Sequence, residues 1–240
     1  MRARWIGEVL PARQCCARLE APRDRAVFGV SVESRSRVVL ATRNPAKARE
    51  LAAMLVGTGV EVCSLLEIGV TEQVEEDGAS FEENALKKAR GVANSTGLVA
   101  LADDSGLEVD ALDGLPGVMS NRFAGEGASD EEKIAKVLEL LRAVPRAGRA
   151  ARFRSAIAIA LPSGEACVVD GSCEGVVAEE PRGEGGFGYD PIFLVPSLDR
   201  TFAELAPEEK MRLSHRGAAM QKAIPILLRL LGSRGVAQSG

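Results

Sequence analysis

The sequence predicts an α/β domain built on a mixed sheet, and three patterns predict it. Short apolar runs alternate with amphipathic helical stretches early in the chain. Strand-like stretches cluster later. Capping residues stand at the start of the helical stretches, which fixes where strands hand over to helices.

The domain is expected to begin at Arg37, with Val38-Val39-Leu40-Ala41 as a short apolar strand. Asn44 then suits an N-cap and Pro45 the first helical position, while Ala48, Leu51, Met54 and Leu55 form one apolar face. Gly57 and Gly59 end that helix, and Val60–Leu65 reads as a second strand. Ser80-Phe81-Glu82-Glu83 is a capping-box pattern opening a helix of about 15 residues toward Thr96. Leu98–Ala102 is a buried strand that runs straight into Asp103-Asp104-Ser105-Gly106.

Ser129 and Glu132 give a second capping box, and the helix behind it sets Ile134, Val137, Leu138 and Leu141 on one side. Phe153–Leu161 alternates like a half-buried strand, and Ala166–Val177 continues as strand with glycine breaks. A glycine-rich loop, 182–190, leads into a short strand, Ile192–Val195. Pro207–Leu213 is a short helix. Ser214 is placed to cap a last helix that reaches Leu231, bent at Pro225 and stopped by Gly232.

The ends read differently. Residues 1–36 hold seven Arg, no Lys and the only Trp, with no sustained period. Glu8, Glu20, Asp24 and Glu33 argue against a transit peptide, so a disordered extension is expected, or a start codon assigned too far upstream. Residues 37–234 form the domain, and 235–240 a short flexible tail.

Composition narrows the function. Of 240 residues, 46% are hydrophobic and 27% charged, which is ordinary for a soluble globular chain. The net charge of −4 supplies no basic field for nucleic acid, so a phosphate ligand needs a local cradle. Five cysteines without a C-x-x-C pair fit a reducing cytosol better than zinc or disulfides. No apolar run approaches the roughly 18 residues of a membrane span. A cytoplasmic protein that binds neither nucleic acid nor membrane is expected.

Four motifs can carry chemistry. Thr42-Arg43-Asn44-Pro45-Ala46-Lys47 is a strand-to-helix turn, where free backbone N–H groups and a lysine attract anions. It lacks the glycines of a Walker A loop, and an ordinary capped helix fits the same residues. Glu75-Glu76-Asp77 and Asp103-Asp104-Ser105 are acidic turns. The second is expected at the C-terminal end of a buried strand, where α/β sheets bind ligands and carboxylates suit Mg²⁺. A solvated acidic turn is the bland alternative. In Gly185-Gly186-Phe187-Gly188-Tyr189-Asp190-Pro191, glycines bring backbone close to a ligand while Phe187 or Tyr189 can stack on a flat ring. Lys210 and Ser214-His215-Arg216-Gly217 contain the only histidine, either structural or a donor to a polar ligand edge. Together these are the parts of a nucleotide site.

The segments VVLATRNPAKARELAAML, SFEENALKKAR, ALADDSGLEVDALDGLPGVMSNRFAG, GGFGYDPIF and EEKMRLSHRGAAM closely resemble the inosine triphosphate pyrophosphatase family across residues 37–232. The resemblance implies an elongated mixed sheet flanked by helices, in two lobes with the nucleotide between them, usually dimeric. It implies removal of dITP, ITP and XTP from the nucleotide pool with Mg²⁺ as cofactor. Carried over, Thr42 through Lys47 would hold the triphosphate, Glu76 and Asp104 the metal, with Asp104 as proton acceptor. Ser105, Phe187, Gly188, Tyr189, Asp190, Lys210, His215 and Arg216 would complete the substrate site. Arg43 departs from the family, where many members have glycine.

Hypoxanthine and xanthine carry an acceptor oxygen at C6 where adenine carries an amino group, so donors at His215-Arg216 would select the former. Two alternatives stand beside this. A pyrophosphatase for modified pyrimidines leaves SHRG and GGFGYDP unexplained. A non-catalytic nucleotide-binding module leaves Glu76 and Asp104 without work.

Overall fold

A computed structural model describes residues 4–5, 37–71 and 74–236 of the chain. Its strands are β1 (Arg4–Trp5), β2 (Arg37–Leu40), β3 (Glu61–Ser64), β4 (Val99–Val109), β5 (Ala150–Ala160), β6 (Ala166–Val177), β7 (Phe193–Val195) and β8 (Arg200–Thr201). Its helices are α1 (Pro45–Leu55), α2 (Phe81–Thr96), α3 (Asp130–Leu140), α4 (Pro207–Leu213) and α5 (His215–Val236). One sheet runs in the order β3-β2-β4-β5-β6-β7-β8, and β1 pairs with β6. β2 is parallel to β3 and β4, whereas every pairing from β4 through β8 is antiparallel. The expected mixed α/β sheet is therefore present.

Three long strands make the sheet elongated. β4 and β5 have 11 residues each and β6 has 12. Their near half is covered on one face by α1 and α5, with Leu51, Leu55, Leu101, Ile157, Ala219 and Leu227 in the core. α2 covers the other face through Phe81, Ala85 and Ala89, packed on Ala100 and Ala158. A separate aromatic core at the far half gathers Leu107, Phe153, Tyr189, Phe193 and Phe202 with Val137 of α3. These are two lobes strung on shared strands.

The local signals explain the helix starts. Asn44 Oδ1 accepts from the Ala46 and Lys47 amides. Ser129 and Glu132 close a complete capping box on α3. Ser80 caps α2 through Glu83 N, while the Glu83 carboxylate turns to Ala79 N, so that box is half made. Ser214 Oγ accepts from Gly217 N at the head of α5.

Some boundaries differ from expectation. β4 does not end at Ala102 but continues to Val109, because β5 pairs with it from Ala100 to Val109. α5 runs past Leu231 and Gly232 to Val236, since Gly232 does not take the left-handed backbone that ends a helix. Arg4 and Trp5 pair antiparallel with Val168 and Cys167. Residues 1–3, 6–36 and 237–240 lie outside the described ones.

Candidate active site

The longer β4 changes how the two acids must be read. Parallel pairing with β2 stops at Leu101, and the chain of β2 leaves toward α1 at that point. Asp103 and Asp104 thus lie beyond the end of β2 while still inside β4, not at the end of their own strand. Side chains alternate along a strand, so the two carboxylates face opposite sides of the sheet. Leu101, two residues before Asp103, packs with α1 and α5, and Ala102, two before Asp104, packs with α2.

On the first face, Asp103 is fully buried. Its Oδ1 accepts from Ser155 Oγ at 2.6 Å. Its Oδ2 accepts from Ser105 Oγ at 2.9 Å and Arg216 Nη2 at 3.2 Å, with Lys47 Nζ at 2.9 Å. Burial pushes this carboxyl up, but Arg216, Lys47 and the Ser155 hydrogen bond override it and hold Asp103 well below the usual carboxylate range. It is a permanent anion.

On the second face, Asp104 accepts from Lys88 Nζ at 2.7 Å and from Asn84 Nδ2 at 3.3 Å. Burial raises its carboxyl above the usual range, and Lys88 and Lys47 only partly oppose the shift. Glu76 reaches the same ammonium at 3.5 Å. Burial would lower Lys88, yet Asp104 and Glu76 raise it overall.

The glycine-rich loop closes the far wall. Gly186 has φ +75° and a Cβ there would meet Asp190 Oδ2 at 2.1 Å, so only glycine fits. Asp190 accepts from Phe187 N at 2.9 Å and from Lys210 Nζ at 2.5 Å. Lys210 also pairs with Glu50 at 2.8 Å and lies 4.8 Å from the Phe187 ring centre. Tyr189 is not free to stack: it is buried and its Oη donates to the Ser120 carbonyl at 2.9 Å. Phe187 is the half-buried ring of the loop. His215 is buried and stacks on Phe153 at 4.6 Å. Burial, with Arg216 beside it, holds its imidazole well below the ordinary histidine range, so it is neutral.

One cavity of about 240 Å³ joins these groups. Of the residues singled out in the sequence, Thr42, Arg43, Asn44, Lys47, Glu76, Asp104, Ser105, Phe187, Gly188, Tyr189, Asp190, His215 and Arg216 line it. Pro45, Ala46 and Lys210 do not line it. Pro45 and Ala46 belong to the first turn of α1, and Lys210 sits beneath Phe187 on Glu50 and Asp190. The Ala46 and Lys47 amides, expected to be free for an anion, are taken by Asn44. The positive charge of this turn therefore comes from the side chains of Lys47 and Arg43. Arg43 has no left-handed φ and donates to the Thr71 carbonyl, so the turn needs no glycine there.

Residues 38–226 match the family model described as the Ham1 family. The chain belongs to the Ham1 family. It is 55% identical over 194 residues to a dITP/XTP pyrophosphatase of Desulforamulus reducens, covering 81% of this chain and 96% of that one. The protein of the same name from Bacillus licheniformis is 50% identical over 79% of this chain and 97% of its own. Among solved structures, a HAM1 protein of Coxiella burnetii superimposes with a TM-score of 0.73 at 46% identity, covering 80% of this chain and 98% of that one.

Within this Ham1 chain the structure adds residues that motif reading passed over. Lys88 and Asn84 of α2 hold Asp104, and Glu50 of α1 holds Lys210 and Arg216. Their signal was present: Asn84 and Lys88 are four apart on α2, and Glu50 follows Lys47 by three on α1. Ser155 had none, because only the register opposite Ser105 brings it to Asp103.

The acidic face also fits a divalent cation. Among the described residues no group of three or more His, Cys, Asp or Glu side chains is placed to hold a metal ion by itself. Mg²⁺ does not need them, since it takes one or two carboxylates with waters and substrate phosphates. Asp104 and Glu76 already converge on one cationic group, the Lys88 ammonium.

Proposed function

We propose that this protein hydrolyses dITP, ITP and XTP to the nucleoside monophosphate and pyrophosphate, with Mg²⁺ held by Asp104 and Glu76. The observation that carries this is the single cavity in which Lys47, the Asp104–Lys88–Glu76 cluster, the Phe187 ring and His215-Arg216 meet. The names and identity levels of the relatives support the substrate class.

Bound Mg²⁺ would neutralise charge developing on the phosphate oxygens. Lys47 and Lys88, resting on carboxylates in the free protein, are the fixed cations that phosphates would engage. Asp104 takes a proton from water. The water oxygen bonds to the α-phosphorus, and the electron pair of the breaking Pα–O bond departs with pyrophosphate. The adjacent acids suit this division, because Asp103 stays ionised while Asp104 has the proton affinity of a base.

Base choice falls to the α5 end. His215 Nδ1 and Arg216 Nε are buried atoms without a protein partner. A buried unpaired polar atom is costly, which favours a ligand edge that completes it. The 6-oxo group of hypoxanthine or xanthine offers an acceptor there, and adenine's amino group does not. The reading includes a cytoplasmic homodimer.

The test is pyrophosphate release over ITP, dITP, XTP, GTP, ATP and dTTP. Turnover confined largely to the first three is expected. Equal rates on ATP and dTTP would contradict the substrate class.

A further inference from the structure

Asp103 does not line the cavity, yet Lys47, Ser105 and Arg216, three of the four side chains on its carboxylate, do. All three converge on Oδ2, while Ser155 from β5 holds Oδ1. One carboxylate oxygen has about two lone-pair sites, so three donors on Oδ2 compete. A donor that leaves Oδ2 frees its lone-pair site for those that remain. Lys47 comes from the head of α1 and Arg216 from the head of α5, the two ends of the proposed nucleotide site.

We propose that Asp103 is a positioning residue that couples the phosphate end of the cleft to the base end. This rests on the nucleotide reading above. In the free protein Lys47 and Arg216 share one carboxylate oxygen. A phosphate that draws Lys47 away leaves Oδ2 to Arg216 and Ser105, so Arg216 is held in place when the phosphate end is filled. Glu50 grips the other guanidinium nitrogen at 2.5 Å, which keeps Arg216 paired throughout. Ser155 fixes Oδ1 and with it the direction in which Oδ2 points. The device explains why two acids stand side by side when only one can reach the substrate.

A mutant cycle tests it. Lys47→Met and Arg216→Lys are measured singly and together, for kcat/KM with ITP and for the Kd of a non-hydrolysable ITP analogue, in the native and Asp103→Asn backgrounds. The native background is expected to show about tenfold non-additivity, and Asp103→Asn additivity within about twofold. Additive effects in the native background would overturn the proposal. So would non-additivity that survives in Asp103→Asn. A merely structural Asp103 would lower Tm and slow every variant alike, leaving the non-additivity intact. Should Asp103→Asn fail to fold, Ser155→Ala keeps every charge and frees only Oδ1. It is expected to reduce the non-additivity to about threefold, and an unchanged cycle would count against the coupling. A native protein that binds the analogue without releasing pyrophosphate would refute the proposed reaction, while the binding cycle would still decide the coupling.

Discussion

The two faces of β4 carry similar charged groups but are closed to different degrees. On the α1/α5 face, Asp103 is sealed from solvent and cavity alike, with the Ser155 hydroxyl on Oδ1 and Lys47, Arg216 and the Ser105 hydroxyl on Oδ2. On the α2 face, Asp104 lines the cavity beside Lys88 and Glu76, and Glu76 has 36% of its side chain exposed. Strand alternation alone separates them. One face therefore holds an anion closed in by its partners, and the other an acid open to the cavity, where the proposed reaction places the proton acceptor and the metal.

Four experiments test this contrast. Exhaustive chelation is expected to abolish ITP turnover, with recovery on Mg²⁺ titration, because the proposed reaction places Mg²⁺ on Asp104 and Glu76 of the α2 face. Full turnover in chelator would remove the metal from the account. Asp104→Asn should lower kcat by at least ~10²–10⁴-fold while analogue binding persists. A rate within about threefold of native would move the base elsewhere.

On the other face the effects are smaller. Arg216→Ala should compress the ITP-to-ATP ratio of kcat/KM by roughly 5- to 150-fold, the range for losing a buried hydrogen bond to a ligand. Equal slowing of both nucleotides would assign Arg216 to structure. His215 gives a pH test. Its folded-state pKa is depressed by burial, so the unfolded chain binds more protons below its ordinary value of about 6.5. Its contribution is fully present above that value and is lost as pH falls below it, by up to about 1.4 kcal/mol per unit. Tm measured from about pH 7.5 to 5.5 should fall less steeply in His215→Gln than in the native protein. Identical slopes would show that the imidazole takes up its proton in the fold as it does in the unfolded chain.

Much of this was legible in the sequence because it is local. Asn44, Ser80 and Ser129 announce helix starts through bonds to amides two or three residues on, and each was found where expected. The glycines of the aromatic loop were expected to bring backbone close to a ligand; the close neighbour at Gly186 is the Asp190 side chain. What depended on pairing was hidden. The extension of β4 comes from β5, some fifty residues later, and it turns an acidic strand end into two opposed sites. The burial of Tyr189 depends on the Ser120 carbonyl, 69 residues away. The partner of Lys210 was hidden likewise, because Glu50 lies 160 residues earlier.

The most direct measurement of the central claim is the hydrolysis of ITP in ¹⁸O-enriched water. Attack at the α-phosphorus, with Asp104 taking the proton, places one ¹⁸O in inosine monophosphate and none in the pyrophosphate released. Label recovered in pyrophosphate, or in inorganic phosphate formed together with inosine diphosphate, would contradict the account.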